Sequence, residues 1–206
     1  PAAMAAARAA AATAAAAMAA AAAAAMAAVA AAAAALRRAD RAAASFAVRG
    51  NGGKIPVDGA ELYVGNSGTT SRSIISYVAL GDGTFVVDGD EPMRKSRPIS
   101  DLLDALGWLG VDARSRFDNG CLPVDVQARG FKGGYTQLDA SKSSQFLTSL
   151  MLTGPHTREG LDIKMLGEFK TQYIDITLAV MRAFGAEVEH DNYRRFRIAG
   201  GQRYLA

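Results

Sequence analysis

Four short segments of this chain collect residue types that bind anions. The first is Gly65-Asn66-Ser67-Gly68-Thr69-Thr70-Ser71-Arg72, which follows the apolar run Leu62-Tyr63-Val64. A Gly-Asn-Ser-Gly turn that opens a helix aims backbone N–H groups, small hydroxyls and the positive end of the helix dipole at one spot. A phosphate or a carboxylate suits that spot, with Asn66, Gly68 and Thr69 as candidate contacts. The plainer explanation is a strand–turn–helix with Asn66 or Ser67 as its N-cap. The second segment is Glu91-Pro92-Met93-Arg94-Lys95-Ser96-Arg97-Pro98, where three cations fall within four residues. Arginine's planar fork matches carboxylate and phosphate oxygens. Arg97 is held by the proline after it, whereas Lys95 reads as solvated charge. The third, Asp139-Ala140-Ser141-Lys142-Ser143-Ser144-Gln145-Phe146, is a hydroxyl-rich entry to a helix. Capping explains one serine. Ser143 and Ser144 together, beside a Gln145 that both donates and accepts, read as a site. The fourth, Glu168-Phe169-Lys170-Thr171-Gln172-Tyr173-Ile174-Asp175, offers Lys170 and Tyr173 to a ligand, while the helix dipole already explains Asp175.

Other chemistries find no support in the residues. His156 and His190 are far apart and sit in no ligand pattern, so no metal and no cofactor is expected. There is no Walker-type loop and no Ser–His–Asp arrangement. The single cysteine, Cys121, cannot form an intrachain disulfide, and a cytoplasmic setting is expected. Net charge is +3 and the pI about 9.2, which fits an anionic small molecule. No basic strand studded with aromatics suggests base stacking, so no nucleic-acid partner is expected. Residues 1 to about 45 are nearly all alanine. They lack the large apolar run of a membrane span and the basic-then-apolar order of a signal peptide, and no membrane partner is expected. Met4, Arg8, Met18, Met26 and Val29 form no helical face, and ordinary sequence starts abruptly at Ser45. Many of these alanines are therefore expected to stand in place of other side chains.

The elements that must position these segments follow a repeated order. From Glu61 the pattern reads β-α-β-α-β-β twice. The first unit has strand Glu61–Val64, helix Thr69–Leu80, strand Thr84–Val87, helix Pro98–Leu109, and strands Val111–Arg116 and Pro123–Gln127. The second has strand Tyr135–Leu138, helix Ser143–Leu152, strand Leu161–Met165, helix Gln172–Phe184, and strands Ala186–His190 and Arg194–Ile198. Ile99, Leu102, Leu103, Leu106 and Leu109 make one buried helical stripe. Gly110 and Gly185 are placed alike as helix C-caps, and Pro98 suits a first helical turn. Ser45–Arg49 followed by glycines suggests a third copy ahead of these. The expected architecture is one α/β domain of three β-α-β-α-β-β repeats, about 1–60, 61–130 and 131–206, with the helices packed together in a shared core.

Taken together, these segments resemble the 5-enolpyruvylshikimate-3-phosphate synthase family of enolpyruvyl transferases. The matching stretches are Leu62–Arg72 (family form LxLGNAGTxxR), Asp88–Asp101 (GxxxMxxRPIxDL), Ser143–Phe146 (SSQF or SSQY), Tyr173–Leu178 (YIDITL) and Ala183–Glu189 (FG-x-E-V-E). The resemblance runs over about 46–206. It implies one of the two domains of an inside-out α/β fold, each domain built of three such units, with the second domain of the same chain missing here. It also implies transfer of the enolpyruvyl group of phosphoenolpyruvate to the 5-hydroxyl of shikimate 3-phosphate, without a cofactor. By motif, Ser143 and Ser144 would hold shikimate 3-phosphate, with Tyr173 lining its side and Gln145 between the two ligands. Gly68 would let backbone approach phosphoenolpyruvate, and Arg97 would pair with its charge. Arg8 stands at a plausible spacing for the arginine of the family's N-terminal Pro-Ser-Lys-Ser…Arg motif, whose lysine has no counterpart among Ala2, Ala3 and Met4. Lys170 stands where members often carry Ser, with Thr171 as the alternative contact. Ser73 stands where many carry Pro, near the pocket that glyphosate occupies in this family. The acid and base come from the second domain, so no catalytic residue is assigned and this chain alone is expected to be inactive. The UDP-N-acetylglucosamine enolpyruvyl transferases share the fold, but the Ser-Ser-Gln and Tyr-Ile-Asp-Ile-Thr-Leu segments argue against them. A non-catalytic RNA-binding module of similar repeats is the alternative from another class.

Overall fold

A computed structural model describes residues 37–40, 45–48 and 53–205 of the chain. Strands β1 (Arg37–Asp40) and β2 (Ser45–Val48) form an antiparallel pair. The remainder is built from two units with one topology. The first unit comprises β3 (Gly59–Tyr63), α1 (Gly68–Val78), β4 (Asp82–Asp88), α2 (Glu91–Lys95), α3 (Ser100–Trp108), β5 (Asp112–Ser115) and β6 (Val124–Arg129). The second comprises β7 (Gly134–Asp139), α4 (Gln145–Thr153), β8 (Leu161–Leu166), α5 (Gln172–Ala183), β9 (Glu189–Asp191) and β10 (Arg195–Ile198). The sheets run β3-β4-β6-β5 and β7-β8-β10-β9. In each, the first two strands are parallel and the other pairings are antiparallel. The proposed first repeat, about 1–60, falls mostly outside the described residues.

Alternation fixes the inner face of each sheet. Phe85 and Val87 of β4 are buried and pair with Val126 and Val124 of β6. Leu161 and Ile163 of β8 pair with Ile198 and Phe196 of β10 in the same way. These faces, with the inner stripes of α1, α3, α4 and α5, make one continuous apolar cluster across both units. Helix α1 lies against α4 through small hydroxyls as well as apolar groups. The Ser149 hydroxyl donates to the Arg72 carbonyl at 2.6 Å and lies 2.6 Å from the Ser76 hydroxyl, all buried. The shared core expected from the helix stripes is present.

Two helix ends show why the glycines recur. At the end of α3, Gly110 N–H donates to Gly107 and Val111 N–H to Leu106, with Gly110 at φ +77°. At the end of α5, Gly185 donates to Arg182 and Ala186 to Met181, with Gly185 at φ +79°. Both are Schellman ends, which need a left-handed residue that glycine adopts without steric cost.

Most boundaries shift by one or two residues, and three differences matter more. Helix α2 replaces what reads as a basic loop. Pro92 in its first turn, Glu91 before it, and Arg94 and Lys95 at its end suit a single short helical turn. Helix α3 starts at Ser100, so Pro98 stands before the helix and Ile99 is the N-cap. Strand β9 starts at Glu189, and the buried Ala186 and Val188 precede it as irregular chain.

Candidate functional site

The four chemically suggestive segments occupy equivalent places in the two units. Each lies in a connection that leaves the carboxyl end of a parallel strand and enters a helix: after β3 and β4 in one unit, after β7 and β8 in the other. Open α/β sheets bind ligands at such ends. Ser67 is the N-cap of α1, and its side chain accepts from Thr70 N–H. The turn before it is braced from the second connection. Asp90 N–H donates to the Gly65 carbonyl at 3.0 Å, and a Cβ on Gly89 would meet that same carbonyl at 2.5 Å.

A cleft of about 790 Å³ opens where the N-termini of α1, α4 and α5 converge. Thr69, Ser143, Ser144, Gln145, Lys170 and Tyr173 line it. The structure thus gathers six candidates from three separate segments. Gln145 Nε2 donates to the Thr69 hydroxyl at 3.0 Å, joining the two units across the mouth. Ser143 Oγ accepts from Gln145 N–H at 3.2 Å, so it caps α4 locally, whereas Ser144 makes no side-chain capping bond. Thr148 also lines the cleft, although the sequence drew no attention to it. Its hydroxyl lies 3.2 Å from that of Thr177, tying α4 to α5. Asn66 is exposed on the turn ahead of the cap and does not line this cleft. Arg8 lies outside the described residues.

Ion pairing sorts the cations. Arg94 is engaged by Asp88, Lys95 by Glu91 and Lys142 by Asp101. Among the described residues, Arg97 and Lys170 form no ion pair. They occupy matching places, each in the connection after the second strand of its unit.

Arg97 reaches Gly68. A Cβ built on Gly68 would lie 3.4 Å from Arg97 Nη1 and 2.6 Å from Arg72 Nη1. Gly68 is therefore flanked by two guanidinium groups. Arg72 is 7% exposed, donates from Nη1 to the Gly68 carbonyl at 2.8 Å, and lies 5.5 Å over the Phe146 ring. Its Nε is buried without a hydrogen-bond partner. Burial pushes its pKa below the ordinary arginine value, and the charge of Arg97 adds to that effect. A buried cation without a carboxylate is costly, and an anion between the two arginines would offset the cost. Sequence reading missed Arg72 because it lies inside a helix. The available signal was its spacing: four residues after Gly68 on a helix is the same face.

A family profile described as EPSP synthase (3-phosphoshikimate 1-carboxyvinyltransferase) matches residues 22–206. The chain belongs to the EPSP synthase family. The 3-phosphoshikimate 1-carboxyvinyltransferase of Shewanella amazonensis is 44% identical over 161 residues, which are 77% of this chain and 37% of that protein. The enzyme of the same name from a Sulfurovum species is also 44% identical over 161 residues, covering 77% of this chain and 38% of the relative. The chain thus spans less than two-fifths of the length of these family members. The EPSP synthase of Acinetobacter baumannii superposes with a TM-score of 0.70 at 22% identity, over 84% of this chain and 38% of that one, which shows the fold. The family expected from five ordered motifs is the family found. Among the described residues no helix is long and apolar enough to cross a membrane, and no group of His, Cys, Asp and Glu could hold a metal ion.

Proposed function

We propose that this chain supplies one of the two domains of an EPSP synthase. That enzyme would transfer the enolpyruvyl group of phosphoenolpyruvate to the 5-hydroxyl of shikimate 3-phosphate and release phosphate. The observation that carries the reading is the pair of adjoining anion positions: the hydroxyl-lined cleft and the two arginines at Gly68. The two substrates are both anionic and must meet, and Gln145 bridges the two positions through Thr69. In this assignment Ser143, Ser144, Lys170 and Tyr173 receive shikimate 3-phosphate. Gly68 and Arg97, with Arg72 behind them, receive phosphoenolpyruvate, and Asn66 and Thr69 complete the first helix entry. Arg8 is assigned to shikimate 3-phosphate by motif alone.

The reaction needs a proton delivered to the phosphoenolpyruvate methylene and another taken from the 5-hydroxyl, by groups within hydrogen-bond reach. The candidates on this chain are hydroxyls, the amides of Asn66 and Gln145, the Gly68 backbone and cations, which are suited to binding and orienting the two anions. The acid and base are assigned to the other domain. A cytoplasmic location goes with this reading, and the buried free thiol of Cys121 suits a reducing compartment.

The test compares the whole two-domain enzyme with this chain alone. The whole enzyme should release phosphate only when both substrates are present, and the chain alone should not. In the whole enzyme, Ser143→Ala and Ser144→Ala should each weaken shikimate 3-phosphate by about 0.5–1.5 kcal/mol, with a smaller effect on phosphoenolpyruvate. Phosphate release by the chain alone, or serine variants that lower only the melting temperature, would overturn the assignment.

A further inference from the structure

Arg97 is exposed on the short connection between α2 and α3. A flexible arginine binds an anion weakly, because ordering it consumes part of the interaction. Something must hold this connection in place, and the structure shows what does. The chain between β5 and β6 reaches back to it. Asn119 Nδ2 donates to the Arg94 carbonyl at 2.9 Å. Asn119 Oδ1 accepts from Cys121 N–H at 3.0 Å and shares the single Ser115 hydroxyl hydrogen, 3.0 Å away, with the nearer Cys121 carbonyl at 2.7 Å. The Arg94 carbonyl and the Cys121 N–H fix the amide orientation, since the opposite one would set a carbonyl against a carbonyl and an N–H against an N–H.

The same loop holds the other end of the connection. Ile99 N–H donates to the Gly120 carbonyl at 2.7 Å, and Leu122 N–H to the Met93 carbonyl at 3.3 Å. Gly120 has φ +69°, and a Cβ there would stand 2.9 Å from Ser100 Oγ. The loop therefore grips the chain before Arg97 at Met93 and Arg94, and after it at Ile99. Arg97 stands between the grips. Asn119 is the side chain that makes one grip directly and shapes the turn that makes the others.

We propose that Asn119 is a positioning residue for Arg97. It touches no ligand, and its three hydrogen bonds set where the Arg97 guanidinium stands relative to Gly68. The inference rests on the reading of Arg97 as the partner of phosphoenolpyruvate.

Asn119→Asp separates positioning from simple loop stability. It keeps the oxygen that accepts from Cys121 and Ser115 and loses the donor to Arg94. The whole two-domain enzyme is assayed for the KM of each substrate and for melting temperature, beside Asn119→Ala and Tyr204→Phe. Tyr204 donates to the Leu152 carbonyl at 3.1 Å in the second unit and serves as a stability control. Asn119→Asp should raise the KM for phosphoenolpyruvate about three- to ten-fold and leave that for shikimate 3-phosphate within about twofold. The rise should persist from about 0.1 to 0.5 M KCl, where a merely added surface charge would be increasingly screened. Asn119→Ala should do at least as much, and Tyr204→Phe should lower the melting temperature with both KM values unchanged. If Asn119→Ala does not fold, Asn119→Asp carries the test. An unchanged phosphoenolpyruvate KM in Asn119→Asp, an equal rise for both substrates, or a rise abolished by salt would overturn the proposal. A wild-type enzyme that does not turn over these substrates would overturn the underlying reading instead.

Discussion

Gly68 has no side chain because a side chain would collide with an arginine. Its φ is not left-handed, so the requirement is space rather than backbone freedom. Gly68→Ala should force the Arg72 guanidinium aside and crowd Arg97. In the whole enzyme the expected result is a rise in the KM for phosphoenolpyruvate larger than that for shikimate 3-phosphate. Arg97→Ala removes a charged hydrogen-bond donor and should cost about 1.5–3 kcal/mol in phosphoenolpyruvate binding, roughly ten- to hundred-fold. Calorimetric titration of each variant with each substrate measures both effects, and equal losses for the two substrates would assign these residues to folding. At this scale the sequence was a good guide where turn chemistry acts locally. Gly68 follows a turn, Arg97 precedes a proline, and Ser143-Ser144-Gln145 opens a helix. It was a poor guide where a role depends on distant partners. The sequence sets Arg97 apart by its proline and Lys95 as solvated charge, but it does not show Asp88 and Glu91 folded against Arg94 and Lys95, which leaves Arg97 without an ion pair among the described residues.

The elements were legible because two periods recur. Strands with buried alternate residues, such as Phe85 and Val87, and helices with three- and four-residue stripes leave little choice of secondary structure. The short α2 escaped because five residues cannot display a helical period. Strand β9 was overextended because Ala186 and Val188 are buried like strand residues without belonging to a ladder. The Schellman ends of α3 and α5 turn the chain sharply into the strand region that follows, and the sign of φ there is the constraint. Gly110→Ala and Gly185→Ala should each destabilise the fold by about 1–2 kcal/mol, the cost of a left-handed alanine. Gly185→Ala should cost more, because a Cβ there would also stand 2.8 Å from Leu205 Cδ1, whereas the space beside Gly110 is open. Urea unfolding of the two variants, compared at equal slope, gives the ranking. Equal losses would mean that backbone strain alone decides, since the two φ values nearly match.

At the scale of the whole molecule, the question is whether two units of one topology behave as one body. The apolar cluster crosses between them, and so does the hydroxyl seam of α1 and α4. A serine hydroxyl has one hydrogen. Ser149 uses it on the Arg72 carbonyl, so Ser76 must donate to Ser149. Ser149→Ala therefore strands the buried Ser76 hydroxyl and takes from the Arg72 carbonyl the second bond it accepts beside its own helical one. Leaving a buried polar group unsatisfied costs about 1–3 kcal/mol. The Arg72 carbonyl belongs to the residue whose side chain holds the Gly68 carbonyl, so the lost bond lies at both the unit boundary and the candidate site. Ser149→Ala should lower the melting temperature of this chain while unfolding stays a single transition that coincides by fluorescence and far-UV circular dichroism. A shared core requires that the units melt together. Two separated transitions, with only one of them shifted, would mean that the units are independent domains that merely touch.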